Sequence, residues 1–205
     1  VTCTQPKREN GVGLNAKPPS SHTLTAVYLA ARNYLKGRTI FSNITLYGIP
    51  FYRVDSVEDI MRIKDGFFLA DELFYWLDSR MIGEGARKRN KIVADILARS
   101  RKRRIIMCYT AQVLSSVDKR VRQVTDFVMI PQLNRRATVA SVLIFKGYKP
   151  IPATFYKVIR FKTAPIFKLY NSNEEVPELK IEDPEPMKLE FHDIDENPAL
   201  REEVH

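Results

Sequence analysis

The run Gly66-Phe67-Phe68-Leu69-Ala70-Asp71-Glu72 constrains the fold more than any other stretch of the chain. Four apolar residues pass straight into two adjacent carboxylates. That is the pattern of a parallel strand buried on both faces, which delivers acids at its C-terminal end. Acids so placed suit a phosphate site: one can hold the water shell of a Mg²⁺ ion, and the next can polarise a water for attack on a γ-phosphate. The chemistry served by such a pair is nucleotide hydrolysis, yet no glycine-rich phosphate loop stands upstream.

The rest of the chain supplies the alternation that such a strand needs. Residues 1–23 show no apolar periodicity and include Lys17-Pro18-Pro19-Ser20-Ser21, an irregular stretch. Thr23 is placed to cap a helix over about 24–36, with Leu24, Val27, Ala31 and Leu35 at helical spacing and Gly37 as its stop. Short strands follow at 39–42 and 51–54, then a helix over 56–63 capped by Asp55 or Ser56. After the 67–70 strand come a helical turn at 73–77 and an amphipathic helix over 86–100. Ile105 to Tyr109 and Phe127 to Ile130 read as further parallel strands, the second closed by Pro131. Residues 138–146 and 153–162 read as an antiparallel pair. The expected class is α/β: a parallel sheet over the first 130 residues, a C-terminal antiparallel β extension and an acidic tail. The chain divides accordingly into an irregular segment 1–23, a main domain 24–170, and a Pro-containing, partly disordered tail 171–205. Parallel sheets gather their chemistry at strand C-termini. That brings Asp71, Glu72 and Gln112 together, and the Gln112 amide can sense a γ-phosphate and orient the attacking water.

Charge is distributed unevenly. Of 33 basic and 24 acidic residues, the last 35 positions hold 3 and 12, a net of −9, which leaves +18 on residues 1–170. A body this basic fits nucleic acid or another polyanion, and Arg101-Lys102-Arg103-Arg104 is its densest run, a candidate phosphate contact. The acidic tail suits a solubilising appendage, a partner peptide or an internal mimic covering the basic surface. The longest apolar run, Val139 to Phe145, has strand length and cannot span a bilayer. Cys3 and Cys108 give no disulfide framework, and Cys108 sits in an apolar run as a core residue, which fits a reducing, intracellular setting. His22, His192 and His205 lack metal-ligand spacing, and no GxSxG motif occurs.

Several segments together carry a resemblance. Leu24-Thr25-Ala26-Val27-Tyr28-Leu29-Ala30, Ile40-Phe41-Ser42-Asn43-Ile44, Phe67 through Arg80, Ser100-Arg101-Lys102-Arg103, Tyr109-Thr110-Ala111-Gln112, Asp118-Lys119-Arg120-Val121-Arg122 and Phe167-Lys168-Leu169-Tyr170 stand in a telling order. In that order and spacing they resemble the zonular occludens toxin (Zot)-like ATPases of the FtsK/HerA group, in their phage and archaeal-virus forms. The resemblance covers about three quarters of the chain. It implies a RecA-like P-loop NTPase sheet of the ASCE type with ATP and Mg²⁺ as cofactors. Asp71 would be the Walker B acid organising the metal, Glu72 the general base and Gln112 the sensor. Arg120 or Arg122 would serve as an arginine finger in a homo-oligomeric ring, or else solvate a helix and pair with Asp118 and Asp126. The implied role is DNA translocation, packaging or virion assembly, with DNA and a capsid or coat protein as partners, in the host cytoplasm or on the virion. A non-catalytic nucleic-acid-binding or assembly module on the same fold is the alternative.

The chain departs from that pattern before the first helix. The family carries a buried strand and GxxxxGK[ST] there, because backbone N–H groups must curl around the phosphates and a lysine must neutralise them. Here the window is Ala16-Lys17-Pro18-Pro19-Ser20-Ser21-His22-Thr23. Thr23 falls at the Mg²⁺-hydroxyl position, while His22 stands where lysine belongs and Ser21 where glycine belongs. Pro18 and Pro19 lack donors and fix φ near −65°, wrong for a phosphate nest. Three explanations stand open: a segment of non-native origin over residues 1–22, a degenerate non-hydrolysing relative, or a lysine supplied from elsewhere, Lys17 being nearest. Loss of a central first strand is expected to expose the edge of its neighbour.

Overall fold

The computed structural model describes residues 20–73, 100, 102–111, 117, 119–147, 154–176 and 186–200. The expected helical turn at 73–77 beyond Leu73, the helix over 86–100 but for Ser100, and any strand before residue 20 lie outside them. The described elements, in order, are α1 (Ser21–Tyr34), β1 (Thr39–Ser42), β2 (Phe51–Arg53), α2 (Val57–Arg62), β3 (Gly66–Ala70) and β4 (Ile105–Tyr109). Then come α3 (Lys119–Gln123), β5 (Phe127–Leu133), β6 (Val139–Lys146), β7 (Thr154–Lys162), α4 (Ala164–Phe167) and β8 (Leu189–Glu190), with 3₁₀ turns at Ile194–Glu196 and Pro198–Leu200. No described helix is long and apolar enough to cross a membrane.

The first sheet runs β4-β3-β1-β2-β8, parallel except for β8. β3 is buried at all five residues because it is covered on both faces. Phe67 and Leu69 pack with Leu24, Val27 and Ala30 of α1, while Phe68 and Ala70 pack with Val57 and Ile60 of α2 and Val121 of α3. The continuous apolar run is therefore the signature of a middle layer, each large side chain contributing about 1.5–3 kcal/mol by burial. Gly66 opens β3 because a Cβ there would meet the Thr39 carbonyl at 2.6 Å and the Phe41 ring at 2.7 Å. β4 ends the sheet among the described residues, and its Ile106 is 43% exposed.

α1 begins earlier than expected. Ser20, not Thr23, is its N-cap, accepting from the His22 N–H at 3.3 Å, so Thr23 lies within the first turn. Gly37 closes the helix with φ +75° and an N–H donated to the Tyr34 carbonyl. α2 carries a full capping box, Ser56 and Asp59 satisfying each other's backbone N–H groups.

The second sheet is antiparallel, in the order β5-β6-β7. The 138–146 and 153–162 pairing is as expected, but Phe127–Leu133 is not a fourth parallel strand: it is an edge of this sheet, antiparallel to β6. Pro131, expected to end the strand, lies inside it opposite Val142, a place an edge strand tolerates. Ala140, Val142 and Ile144 join the α1 core, and Phe161 stacks on Tyr28 with ring centres 3.9 Å apart.

Residues 186–200 return to the first sheet. β8 pairs with β2, Tyr47 bridges to His192, and buried Asn197 donates to the Lys168 and Tyr170 carbonyls at 3.0 Å each. Gly48, at φ +69°, makes room for Ile194, which would lie 2.9 Å from a Cβ.

Candidate functional site

Three strands of the first sheet and the first turn of α1 converge on Asp71. The carboxylate is 6% exposed and lies in the turn just beyond β3. Thr23 Oγ1 lies 3.1 Å from its Oδ1 and 3.0 Å from its Oδ2, donating one proton shared between them. Thr110, just past β4, donates to Oδ1 at 2.6 Å and accepts from the Glu72 N–H at 2.8 Å. Asn43, just past β1 and fully buried, clamps the Asp71 backbone from both sides. Its Nδ2 donates to the Asp71 carbonyl at 2.8 Å and its Oδ1 accepts the Asp71 N–H at 2.7 Å. Each group is thus fixed by a partner from a different strand, the arrangement that holds a carboxylate rotamer in place.

Electrostatics follow from burial. Desolvation raises the Asp71 carboxyl from 3.8 to about 6, against the opposing hydrogen bonds of Thr110 and Thr23. The positive end of α1 beside it favours the charged form at neutral pH. Burial lowers His22 from 6.5 to about 4, so the imidazole at the lysine position is neutral at pH 7. Among the described residues the buried Tyr170 hydroxyl has no hydrogen-bond partner, and burial, then the charge of Asp71, holds its pKa above 10.

A second layer reaches this site from the chain's C-terminal part. Arg53, at the end of β2, donates to the Asn43 carbonyl at 3.4 Å and to Thr45 Oγ1 at 2.8 Å, and pairs with Glu190 at 3.0 Å and Glu174 at 3.6 Å. Glu174 in turn accepts from the Thr45 N–H and hydroxyl. The residues that clamp Asp71 are therefore tied to β8.

The expected site residues separate into groups. Thr23 and Asp71 meet directly, and His22 lies in the same helical turn. Glu72 follows Asp71 with φ +47°, a left-handed conformation that costs a non-glycine residue about 1 kcal/mol or more. Gln112 and Arg101 lie outside the described residues. Arg120 and Arg122 belong to α3. Lys102, Arg103 and Arg104 lie in the turn before β4, at the opposite end of the strand from Thr110. There Arg103 donates to the Met61 carbonyl and Arg104 pairs with Asp65. Asn43, Thr110 and Tyr170 were not singled out from sequence. The available signal was position, since Asn43 and Thr110 each follow the last residue of a strand parallel to β3.

The arrangement fits Mg²⁺ held in the manner that ion prefers. Among the described residues no three His, Cys, Asp or Glu side chains form a protein cage. Mg²⁺ instead takes one or two protein oxygens and completes its shell with water and phosphate, and the Thr23 hydroxyl and Asp71 carboxylate are such a pair. At the position where the resemblance expects a phosphate-binding lysine, the neutral His22 offers no cation.

Comparison with known proteins concerns the fold. No protein-family model matches the chain, and no curated protein matches it by sequence. Among solved structures, the chain is similar to the N-terminal domain of zonular occludens toxin from Neisseria meningitidis, with a TM-score of 0.50 and 15% identity over 83% of this chain and 98% of that one. The chain has a Zot-like mixed α/β fold, with a mostly parallel sheet and a separate antiparallel one.

Proposed function

We propose that this chain is a Mg²⁺-nucleotide-binding domain of P-loop, RecA-like lineage, hydrolysing ATP to move DNA in packaging or virion assembly. The observation that carries the reading is the Thr23–Asp71 hydrogen bond. It joins the first turn of the helix to the acid at the end of the buried strand, where a P-loop enzyme holds its metal. When bound there, Mg²⁺ would neutralise charge on the β- and γ-phosphates. Thr23 and Asp71 would hold the ion and its waters, Thr110 and Asn43 keep Asp71 in register, and Glu72 would accept the proton of the attacking water. The resemblance of the segments from Leu24 to Tyr170 and the charge of +18 on residues 1–170 support the finer reading. That reading is a homo-oligomeric ring with an arginine finger from Arg120 or Arg122 and Gln112 as sensor. It would act on DNA and a coat or capsid protein, in the host cytoplasm or on the virion.

Titration of the full chain with a fluorescent ATP analogue, with and without Mg²⁺, tests the reading. Saturable Mg²⁺-dependent binding is expected, lost in Asp71→Asn and weakened in Thr23→Ala. Glu72→Gln should keep binding and abolish turnover. Binding indifferent to Mg²⁺ or to Asp71→Asn would sink the proposal.

One observation favours a second reading, a nucleic-acid-binding or assembly module that does not hydrolyse ATP: the neutral, buried His22 gives phosphate no cation. Salt-sensitive DNA binding without nucleotide binding is its signature.

A further inference from the structure

The outer face of the second sheet concentrates chemistry that the nucleotide site does not use. The registers of β6 and β7 set Phe145 opposite Phe155, Leu143 opposite Val158 and Ser141 opposite Arg160. These alternate along β6 with buried Ala140, Val142 and Ile144, so they lie on the face turned away from α1. The rings of Phe145 and Phe155 meet edge to face at 5.9 Å, and Phe155 is 53% exposed. At the same end of the sheet but on the opposite face, which Lys146 shares with Ile144, Tyr156 is 46% exposed and packs on Phe127, with the Lys146 and Lys157 ammonium groups 5.0 and 5.3 Å from its ring centre. On the outer face the paired rings of Phe145 and Phe155 lie next to the Leu143–Val158 pair, a contiguous apolar patch rather than apolar residues scattered singly.

Charge selects the partner. From Phe127 to Asn173 the sequence holds eight Lys and Arg and no Asp or Glu. Arg160 and Lys162 continue the face of Val158 along β7, spaced by about 6.8 Å per strand repeat. A second copy of this face would set like charges against like. An acidic peptide would answer the cations and leave the rings without stacking partners. A duplex hides the faces of its bases. Single-stranded nucleic acid answers both features at once, bases stacking on the rings while phosphates meet the cations.

We infer that the outer face of β6 and β7, centred on Phe155 and Arg160, is a platform for single-stranded nucleic acid. The inference deepens the nucleic-acid part of the reading above and rests on it for partner class. It uses no residue of the Asp71 site, so the two can fail separately.

The test is fluorescence anisotropy of labelled 20-mers of oligothymidylate and oligouridylate with the full chain, with a duplex and polyglutamate as competitors. Single strands should bind more tightly than duplex. Preference between the two oligomers then tells DNA from RNA. Phe155→Ala should weaken binding by about 5- to 150-fold, the range for one stacked base, and Phe155→Tyr should restore it. Arg160→Glu with Lys162→Glu should flatten the log–log salt dependence by about 1.4, at ~0.7 per phosphate contact. All variants should melt at the wild-type temperature and bind Mg²⁺-ATP as wild type does. Loss of nucleotide binding alone would count against the ATP site and leave this surface standing. Polyglutamate or duplex competing as well as the single strand would overturn the inference. So would an unchanged affinity in Phe155→Ala, or concentration-dependent dimers that Phe155→Ala abolishes.

Discussion

Replacing Asp71 by Asn should change how the stability of this protein depends on pH. Burial holds the Asp71 carboxyl at about 6 against 3.8 in an exposed chain. Between those values the folded protein keeps a proton that the unfolded chain has given up, so stability falls as pH rises. At about 1.4 kcal/mol per pH unit, that interval amounts to roughly 3 kcal/mol. His22 acts in the opposite sense. Held at about 4 against 6.5, it stays neutral in the fold while the unfolded chain takes up a proton. Stability from His22 therefore rises with pH across nearly the same window, again by roughly 3 kcal/mol. The two slopes largely cancel in the native chain. Asp71→Asn removes one of them, so its stability should climb by roughly 3 kcal/mol between pH 4 and 6.5 while wild type stays nearly flat. His22→Gln should show the mirror image, a decline over the same range. Glu190 acts only at the foot of this window, from 4.5 downward: burial raises its pKa, but the hydrogen bond and charge of Arg53, with His192, outweigh that and hold it below 4.5. Urea unfolding followed by far-UV circular dichroism at half-unit pH steps measures each profile. An Asp71→Asn profile parallel to wild type from pH 4 to 6.5 would refute the assignment of opposing buried groups.

Other outcomes follow from the same geometry. Asn43→Ala strands the buried N–H and carbonyl of Asp71 and should cost about 2–6 kcal/mol in chemical denaturation, at about 1–3 per unsatisfied group. Gly48→Ala forces an L residue into φ +69° with its Cβ against Ile194. It should lower stability by about 1 kcal/mol or more and speed proteolytic cleavage near Leu189. His22→Lys places a cation at the helix start and should tighten Mg²⁺-ATP binding by roughly tenfold in the titration described above, a gain of about 1.4 kcal/mol.

The elements that local chemistry specifies were legible. Ser56, one of the two caps expected, caps α2, and the 66–70 run announces a doubly covered strand. What depends on distant partners was not. The apolar run at 127–130 gives a strand, but nothing within it says that β6, antiparallel, is its neighbour. β8 has two residues in an acidic, proline-containing stretch, too short for any periodicity, and exists because β2 offers a free edge. Asn43 and Thr110 become site residues only when three strands align. The start of α1 was misplaced because Ser20 and Thr23 are both good caps, and only the geometry shows that the Ser20 oxygen accepts the N–H.

The union of β2 with β8 also bears on how the molecule is made. Arg53 and Glu190 are 137 residues apart in sequence. At about 5–20 residues per second, a ribosome takes roughly 7–27 s to release the second after the first. Throughout that interval the hydrogen-bonding groups of β2 that later face β8 have no strand to take, and an open strand edge invites other chains. The C-terminal segment that ties down Arg53, and through it the Asn43 clamp, is thus the natural endpoint of assembly. A chain cut short at residue 185 would keep its core and carry an uncapped sheet edge into a crowded cell.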